Sequence, residues 1–231
     1  MTFSEWDEHP GLSMAGPSCQ SCHMKKQADG HSSHYFAGVD VLFYDGVDES
    51  SAQYQQASEM LQEAALISID GTYIEGDSLY VPVLIENLTG HNFPSGTSFS
   101  REAWIELIVF SSEGDTIYSK GVLVNSSETF NYDDLDPDLM LYTTILYDEA
   151  DSVIYEASNA LRYDDKTIRT LFYDTKSYSV DISTYATNSF EITARMLFRS
   201  FKPQIINQFH SESISNIPIF EICSENIIIN R

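Results

Sequence analysis

Positive charge is scarce in this 231-residue chain, which has 12 lysines and arginines against 35 aspartates and glutamates. The net charge of −23 repels nucleic-acid phosphates, so nucleic acid is not expected as a partner. No apolar run approaches the ~20 residues of a membrane-spanning helix, so no membrane span is expected. Hydrophobic residues still make up 42% of the chain and aromatics 13%, which is too apolar for a disordered protein. The sequence predicts a soluble, acidic, folded protein.

Cysteine is also scarce, since the chain contains only three. Cys223 stands alone near the end of the chain and is expected to be a small apolar core residue. Cys19 and Cys22 are three positions apart, a spacing that points to shared chemistry. The chain also begins without a cationic stretch followed by an apolar one, so we expect either that an export signal has been removed or that the chain is a fragment.

Hydrophobic periodicity divides the chain into three regions. Residues 1–47 show no sustained period and contain both paired cysteines and four of the six histidines. Residues 48–65 open with capping residues and continue at helical spacing, which predicts a linking helix. Residues 66–231 alternate with period two in some eight short runs separated by turn residues. We therefore expect a mainly β protein, an antiparallel immunoglobulin-like β-sandwich preceded by an irregular or helical segment.

The sequence Cys19-Gln20-Ser21-Cys22-His23 is a C-x-x-C-H motif, the attachment site of c-type haem. Two thiols at this spacing can add to the two vinyl groups on one edge of a porphyrin. The next residue then places an imidazole beneath the iron as the proximal ligand. The motif therefore predicts one haem c, with Cys19 and Cys22 as thioethers and His23 as the proximal ligand, and makes residues 1–47 a haem-binding segment.

Two other sites are compatible with the same cysteine pair. A zinc site needs further ligands, which His31 and His34 could supply. A dithiol redox centre belongs at the start of a helix in a β-α-β unit, and that context is missing around Cys19.

Several stretches outside the motif resemble sequences of multihaem c-type cytochromes, in that family's order. They are E-W before the C-x-x-C-H-M motif, S-H-Y-F-A-G at 33–38, G-H-N-F-P-S-G at 90–96 with R-E-A-W at 101–104, and A-R-M-L-F-R-S-F at 194–201. The resemblance covers most of the chain and corresponds to the last haem and the β-sandwich of such proteins. This chain departs from the family in having one C-x-x-C-H site where its members have several.

The resemblance implies that the iron has two histidine ligands. It places His34, in the S-H-Y-F stretch, as the distal ligand, with His91 as the alternative. A second possibility for His91 is that its imidazole only holds the loop between two strands.

The resulting interpretation is an electron-transfer domain that works outside the cytoplasm, in the periplasm or at the cell surface. Its expected partners are redox proteins, such as other cytochromes or copies of itself. The alternatives are a haem enzyme with an open sixth position, of the peroxidase or nitrite-reductase kind, and a surface or filament module whose haem is structural. No hydrolase or nucleotide-binding motif is found, which excludes those two classes of function. Between the haem alternatives we favour a carrier over an enzyme.

Overall fold

The computed structural model describes residues 2–14, 16, 18–41, 47–209 and 216–231. Its helices are α1 (Thr2–Asp7), α2 (Pro10–Ser13), α3 (Cys19–His23), α4 (Ala52–Gln62) and α5 (Pro203–Phe209), with a 3₁₀ turn at Ala157–Asn159. Its strands are β1 (Ala65–Ser68), β2 (Tyr73–Glu75), β3 (Ser78–Asn87), β4 (Glu102–Ser111), β5 (Thr116–Lys120), β6 (Leu141–Tyr142), β7 (Thr144–Tyr147), β8 (Val153–Ile154), β9 (Arg162–Asp165), β10 (Tyr173–Asp181), β11 (Ser189–Arg199) and β12 (Phe220–Asn230). The expectation of a mainly β fold is confirmed.

The strands form two larger antiparallel sheets and one small one. Sheet I has the order β1-β3-β10, with β2 also paired to β3. Sheet II has the order β12-β11-β4-β5, with β6 also paired to β4. The small sheet has the order β8-β7-β9.

Sheets I and II pack face to face because every second residue of their central strands is apolar. In β3, Leu79, Val81, Val83 and Ile85 are fully buried, while the residues between them face outward. Facing side chains of β4, β10 and β11 belong to the same hydrophobic cluster. Burial of this apolar surface is what stabilises the sandwich.

Helix α4 closes one side of this core. The hydroxyl of Ser51 accepts a hydrogen bond from the backbone N–H of Tyr54 at 3.2 Å and so caps the helix. Ala57 and Leu61 point inward at helical spacing, and the ring of Tyr54 lies 4.8 Å from that of Phe220. Among the described helices, none is long and apolar enough to cross a lipid bilayer.

Cys223 packs against the main hydrophobic cluster, as expected. Burial raises the pKa of its thiol to about 12. It lies on β12, opposite Met196 of β11.

A fully buried group of charges lies where β4 and β11 meet the start of α5. Glu102 pairs with the guanidinium of Arg199, and it also accepts a hydrogen bond from Tyr132. Lys202 donates to the carbonyl oxygen of Thr144 at 3.1 Å. Burial lowers the pKa of Lys202 to about 8, against the opposing attraction of Glu102.

Candidate functional site

Helix α3 carries the three residues of the C-x-x-C-H motif on one helical turn. Cys19 and Cys22 are three positions apart, so their side chains lie on the same side of the helix. Both thiols are free and exposed. They are therefore accessible to a planar group that lies against this turn.

The imidazole of His23 is held by the chain that returns to it. Its Nδ1 lies 2.9 Å from the carbonyl oxygen of Ala37, and the backbone N–H of Ala37 donates to the carbonyl of His23 at 3.1 Å. The ring of Phe36 stacks on the imidazole, with centroids 4.5 Å apart and planes 9° apart. With Nδ1 donating to a carbonyl, Nε2 is the nitrogen that carries the free lone pair.

Residues 25–33 make a short hairpin-like excursion before the chain returns to Ala37. An antiparallel bridge joins Lys26 to Ser32, and Gly30 takes the left-handed conformation (φ 86°) at the turn. His34 lies on the return, with an exposed side chain. His31 is exposed as well, and its Nδ1 lies 3.5 Å from Asp29.

The loop between β3 and β4 connects the two sheets and carries His91. The Nδ1 of His91 lies 2.8 Å from the carbonyl oxygen of Asn92, so here too Nε2 is left as the free nitrogen. Burial lowers the pKa of His91, although the hydrogen bond to Asn92 partly opposes it. The neutral form of the imidazole is thereby favoured, and this is the form that binds a metal ion.

The two histidines His23 and His91 lie opposite one another. Their ring centroids are 6.4 Å apart and their planes differ by 23°. Imidazole nitrogens bind transition-metal ions at ~2 Å, so two imidazoles on opposite sides of one ion have centres roughly 6 Å apart. The spacing of this pair fits one iron between two nitrogens, with one ligand from each half of the chain.

Asn87, at the end of β3, organises the loop of His91 from a fully buried position. Its Nδ2 lies 2.9, 3.0 and 3.1 Å from the carbonyl oxygens of His91, Ile168 and Arg169. Its Oδ1 accepts a hydrogen bond from the backbone N–H of Thr89 at 2.9 Å. The side-chain amide of Asn87 thus holds the loop of His91 in shape and joins it to the segment that contains Ile168 and Arg169.

Glu5 of α1 joins the N-terminal segment to the same loop. Its Oε2 accepts hydrogen bonds from the backbone N–H of Asn92 at 3.0 Å and from the hydroxyl of Ser95 at 2.8 Å. The absence of a side chain at Gly90 helps α1 to pack closely, because a Cβ there would lie only 3.3 Å from the Trp6 ring. The helix therefore packs directly on the loop that holds His91.

These groups fit a covalently bound haem better than a zinc ion. Two exposed thiols stand beside an imidazole pair whose Nε2 atoms are free, which is the donor set of a haem c with two histidine ligands. A tetrahedral zinc site needs four ligands close together. Within the described residues, no three His, Cys, Asp or Glu side chains come together in that way.

Several residues that shape the site had no assigned role in the sequence analysis. They are Glu5, Phe36, Ala37 and Asn87. Ala37 acts through its carbonyl oxygen, which leaves no trace in a sequence. The other signals were visible, because E-W, S-H-Y-F-A-G and N-L-T-G-H all lie in or beside the stretches that resemble multihaem cytochromes.

Comparison with solved structures finds a similar fold in a known cytochrome. The chain is similar to a penta-haem cytochrome c552 from Thermochromatium tepidum, with a TM-score of 0.69 and 15% identity over 98% of this chain. It spans 50% of that longer protein. This likeness supports a multihaem-cytochrome-like fold.

Two of the other matching structures are much less similar. A β-glucosidase 3B from Thermotoga neapolitana gives a TM-score of 0.24 at 10% identity over 72% of this chain and 17% of its own. The adhesin Fhb of Streptococcus suis gives 0.27 at 12% identity, over 80% of this chain and 94% of its own. Neither value indicates a shared fold. Comparisons with protein-family models and with curated proteins give no match.

Proposed function

We propose that this chain is a c-type cytochrome domain that carries one haem and transfers electrons. Cys19 and Cys22 hold the haem through thioether bonds, His23 is the proximal iron ligand and His91 is the distal ligand. When bound, the haem supplies a one-electron centre whose potential is set by its axial ligands and surroundings.

The arrangement of His23 and His91 is the observation that carries this proposal. Each ring donates its Nδ1 proton to a carbonyl oxygen, and the rings lie 6.4 Å apart. His34 is exposed on the return from the hairpin, whereas His91 is part of the pair. We therefore choose His91 over His34 as the distal ligand.

Two bound imidazoles suit a carrier better than an enzyme. If His23 and His91 both bound the haem iron, no open position would remain at which a substrate could bind. The carbonyl oxygens of Ala37 and Asn92 fix the orientations of the two imidazole rings, and Asn87 fixes the loop that carries His91. A rigid ligand set changes little when an electron arrives, so the reorganisation that accompanies transfer is small.

We propose in addition that the domain works outside the cytoplasm, in the periplasm or at the cell surface. Its partners would be redox proteins, such as other cytochromes or copies of the same chain. The resemblance to multihaem cytochromes supports both proposals.

Covalent attachment can be tested on protein expressed in a host that matures c-type cytochromes. The denatured wild type should retain haem by intact mass and by its absorption spectrum. The double variant C19S/C22S should lose it, because no thioether can form. The variant C223A is the matched control, since it removes the cysteine on β12 and should retain the haem. Native protein with bound zinc and no haem would overturn the proposal.

A further inference from the structure

Arg101, the residue before β4, spans the two segments that carry the candidate iron ligands. Its Nη1 donates to the carbonyl oxygen of Ser95, four residues after His91, at 2.7 Å. Its Nη2 lies 3.6 Å from Asp40, three residues after the Ala37 carbonyl that orients His23.

One nitrogen of the Arg101 guanidinium is available to bind a further group. Within the described residues its Nε is buried and has no hydrogen-bond partner. Leaving a buried donor unsatisfied is unfavourable, and more so for a charged group. Gly96 leaves space beside the Arg101 guanidinium, because a Cβ at this left-handed position (φ 73°) would lie 3.3 Å from Nη1. Within this part of the chain, Nε therefore lacks a partner on the side chain that joins the two ligand-bearing segments.

We propose that Arg101 binds a propionate carboxylate of the haem through Nε, an inference that rests on the proposed function. An arginine fork binds carboxylates with matched geometry, and a charge-assisted hydrogen bond is stronger than a neutral one. The propionates of a haem lie on the edge opposite its vinyl-derived thioethers. Arg101 belongs to the sandwich half and the thioether cysteines to α3, so the two attachments would hold the porphyrin from different parts of the chain.

Asp40 does not supply the missing partner. It contacts Nη2 and not Nε, and its side chain is 56% exposed. An ion pair of that exposure contributes little. The second function of the guanidinium would be electrostatic, since a positive charge near the iron disfavours the more positive oxidised state and so raises the reduction potential.

The test uses the full-length holoprotein with carbon-13 in the haem propionates. Reduced-minus-oxidised infrared difference spectra should show isotope-sensitive carboxylate bands that move in R101Q and stay in place in R162Q. Arg162 is an exposed arginine paired with Asp151 and serves as the matched control. The reduction potential of R101Q should shift downward, with the low-spin absorption bands unchanged, while that of R162Q stays close to the wild type.

Two further variants, R101K and D40N, test the role of Arg101. If R101Q does not fold, R101K retains the charge but lacks Nε, so its carboxylate bands should still move while its potential falls less. D40N should leave the bands in place, whereas a role limited to pairing Asp40 would make D40N and R101Q behave alike. Carboxylate bands that coincide in R101Q, R101K and the wild type would overturn the assignment with haem present. Absence of haem from the protein would instead overturn the proposed function.

Discussion

Two backbone carbonyl oxygens decide which nitrogen of each candidate ligand is free. Ala37 and Asn92 accept from Nδ1 of His23 and His91, so both rings present Nε2. Such an outer contact sets the tautomer and the direction of a metal-binding histidine. Every residue has a carbonyl, so no sequence pattern could have identified these two partners.

The buried amide of Asn87 should be required for this arrangement. In N87A the two N–H groups shared among the backbone carbonyls of His91, Ile168 and Arg169 are lost, and we expect a loss of about 2–4 kcal/mol in unfolding free energy. We also expect a high-spin fraction in the absorption spectrum, because the loop of His91 is released. Urea unfolding and visible spectra of the holoprotein measure the two effects.

N226A is the control for that variant. In the wild type, Nδ2 of Asn226 also donates two hydrogen bonds to side chains, at 2.8 and 2.9 Å, but on an exposed part of β12. We expect a change within about 0.5 kcal/mol and no spectral change. Equal effects of N87A and N226A on the spectrum would contradict the role of Asn87.

The docking of helix α1 should depend strongly on the carboxylate of Glu5. Glu5 accepts two hydrogen bonds from the loop of His91, and hydrogen bonds to charged groups contribute ~1.5–3 kcal/mol. In E5A, the amides of residues 2–14 should exchange with solvent deuterium markedly faster than in the wild type. The exposed neighbour Glu8 provides the control variant E8A, and similar exchange in both variants would show that Glu5 does not hold the helix.

The start of α5 should give stability an unusual pH dependence. The pKa of Lys202 is about 8 when folded and 10.5 in its ordinary range, so between these values the unfolded chain binds more protons than the folded one. The contribution of Lys202 to the free energy of unfolding therefore rises with pH, by about 1 kcal/mol between pH 7 and pH 9.

The variant K202M tests this dependence. The difference in unfolding free energy between wild type and K202M should grow in favour of the wild type as the pH is raised from 7 to 9. The raised pKa of Cys223 acts in the opposite direction, but it is common to both proteins and cancels in the difference. K166M, which removes an exposed lysine, should show a constant difference. A constant difference for K202M as well would mean that its pKa is not lowered.

Sequence periodicity was informative for the elements that have one buried face. The alternation in β3 and the helical spacing in α4 predicted both elements within a few residues. Strand β9 is short and mostly exposed, so it shows no apolar alternation that could predict it. Strand β12 alternates near its start, where Phe220 and Ile222 are buried.

The sequence could not predict that His23 and His91, from the two halves of the chain, come together in one site. His34 lies eleven residues from His23 and His91 lies sixty-eight away, and nothing in their spacing shows which one the chain brings back. The position of His91 depends on the connection between sheets I and II, on Asn87 and on the packing of α1. These are contacts between distant residues, and hydrophobic patterns carry no information on them.

At the scale of the whole molecule, the charge of −23 should control encounters with redox partners. Reduction by a cationic mediator should be faster than by an anionic mediator of similar potential, because opposite charges steer association. The advantage should shrink as salt rises toward 0.1 M, where the screening length is ~10 Å. Stopped-flow rates at increasing ionic strength measure this. A rate with the cationic mediator that does not depend on salt would mean that the charge does not steer encounters.

The account as a whole depends on one haem held between the two halves of the chain. The most direct test is near-infrared magnetic circular dichroism of the oxidised wild type, H91A and H34A. We predict the signature of low-spin iron with two histidine ligands in the wild type and in H34A. H91A should become high-spin and should bind carbon monoxide when reduced. A high-spin H34A beside an unchanged H91A would contradict the account, and so would a high-spin wild type, which would have the open position of an enzyme.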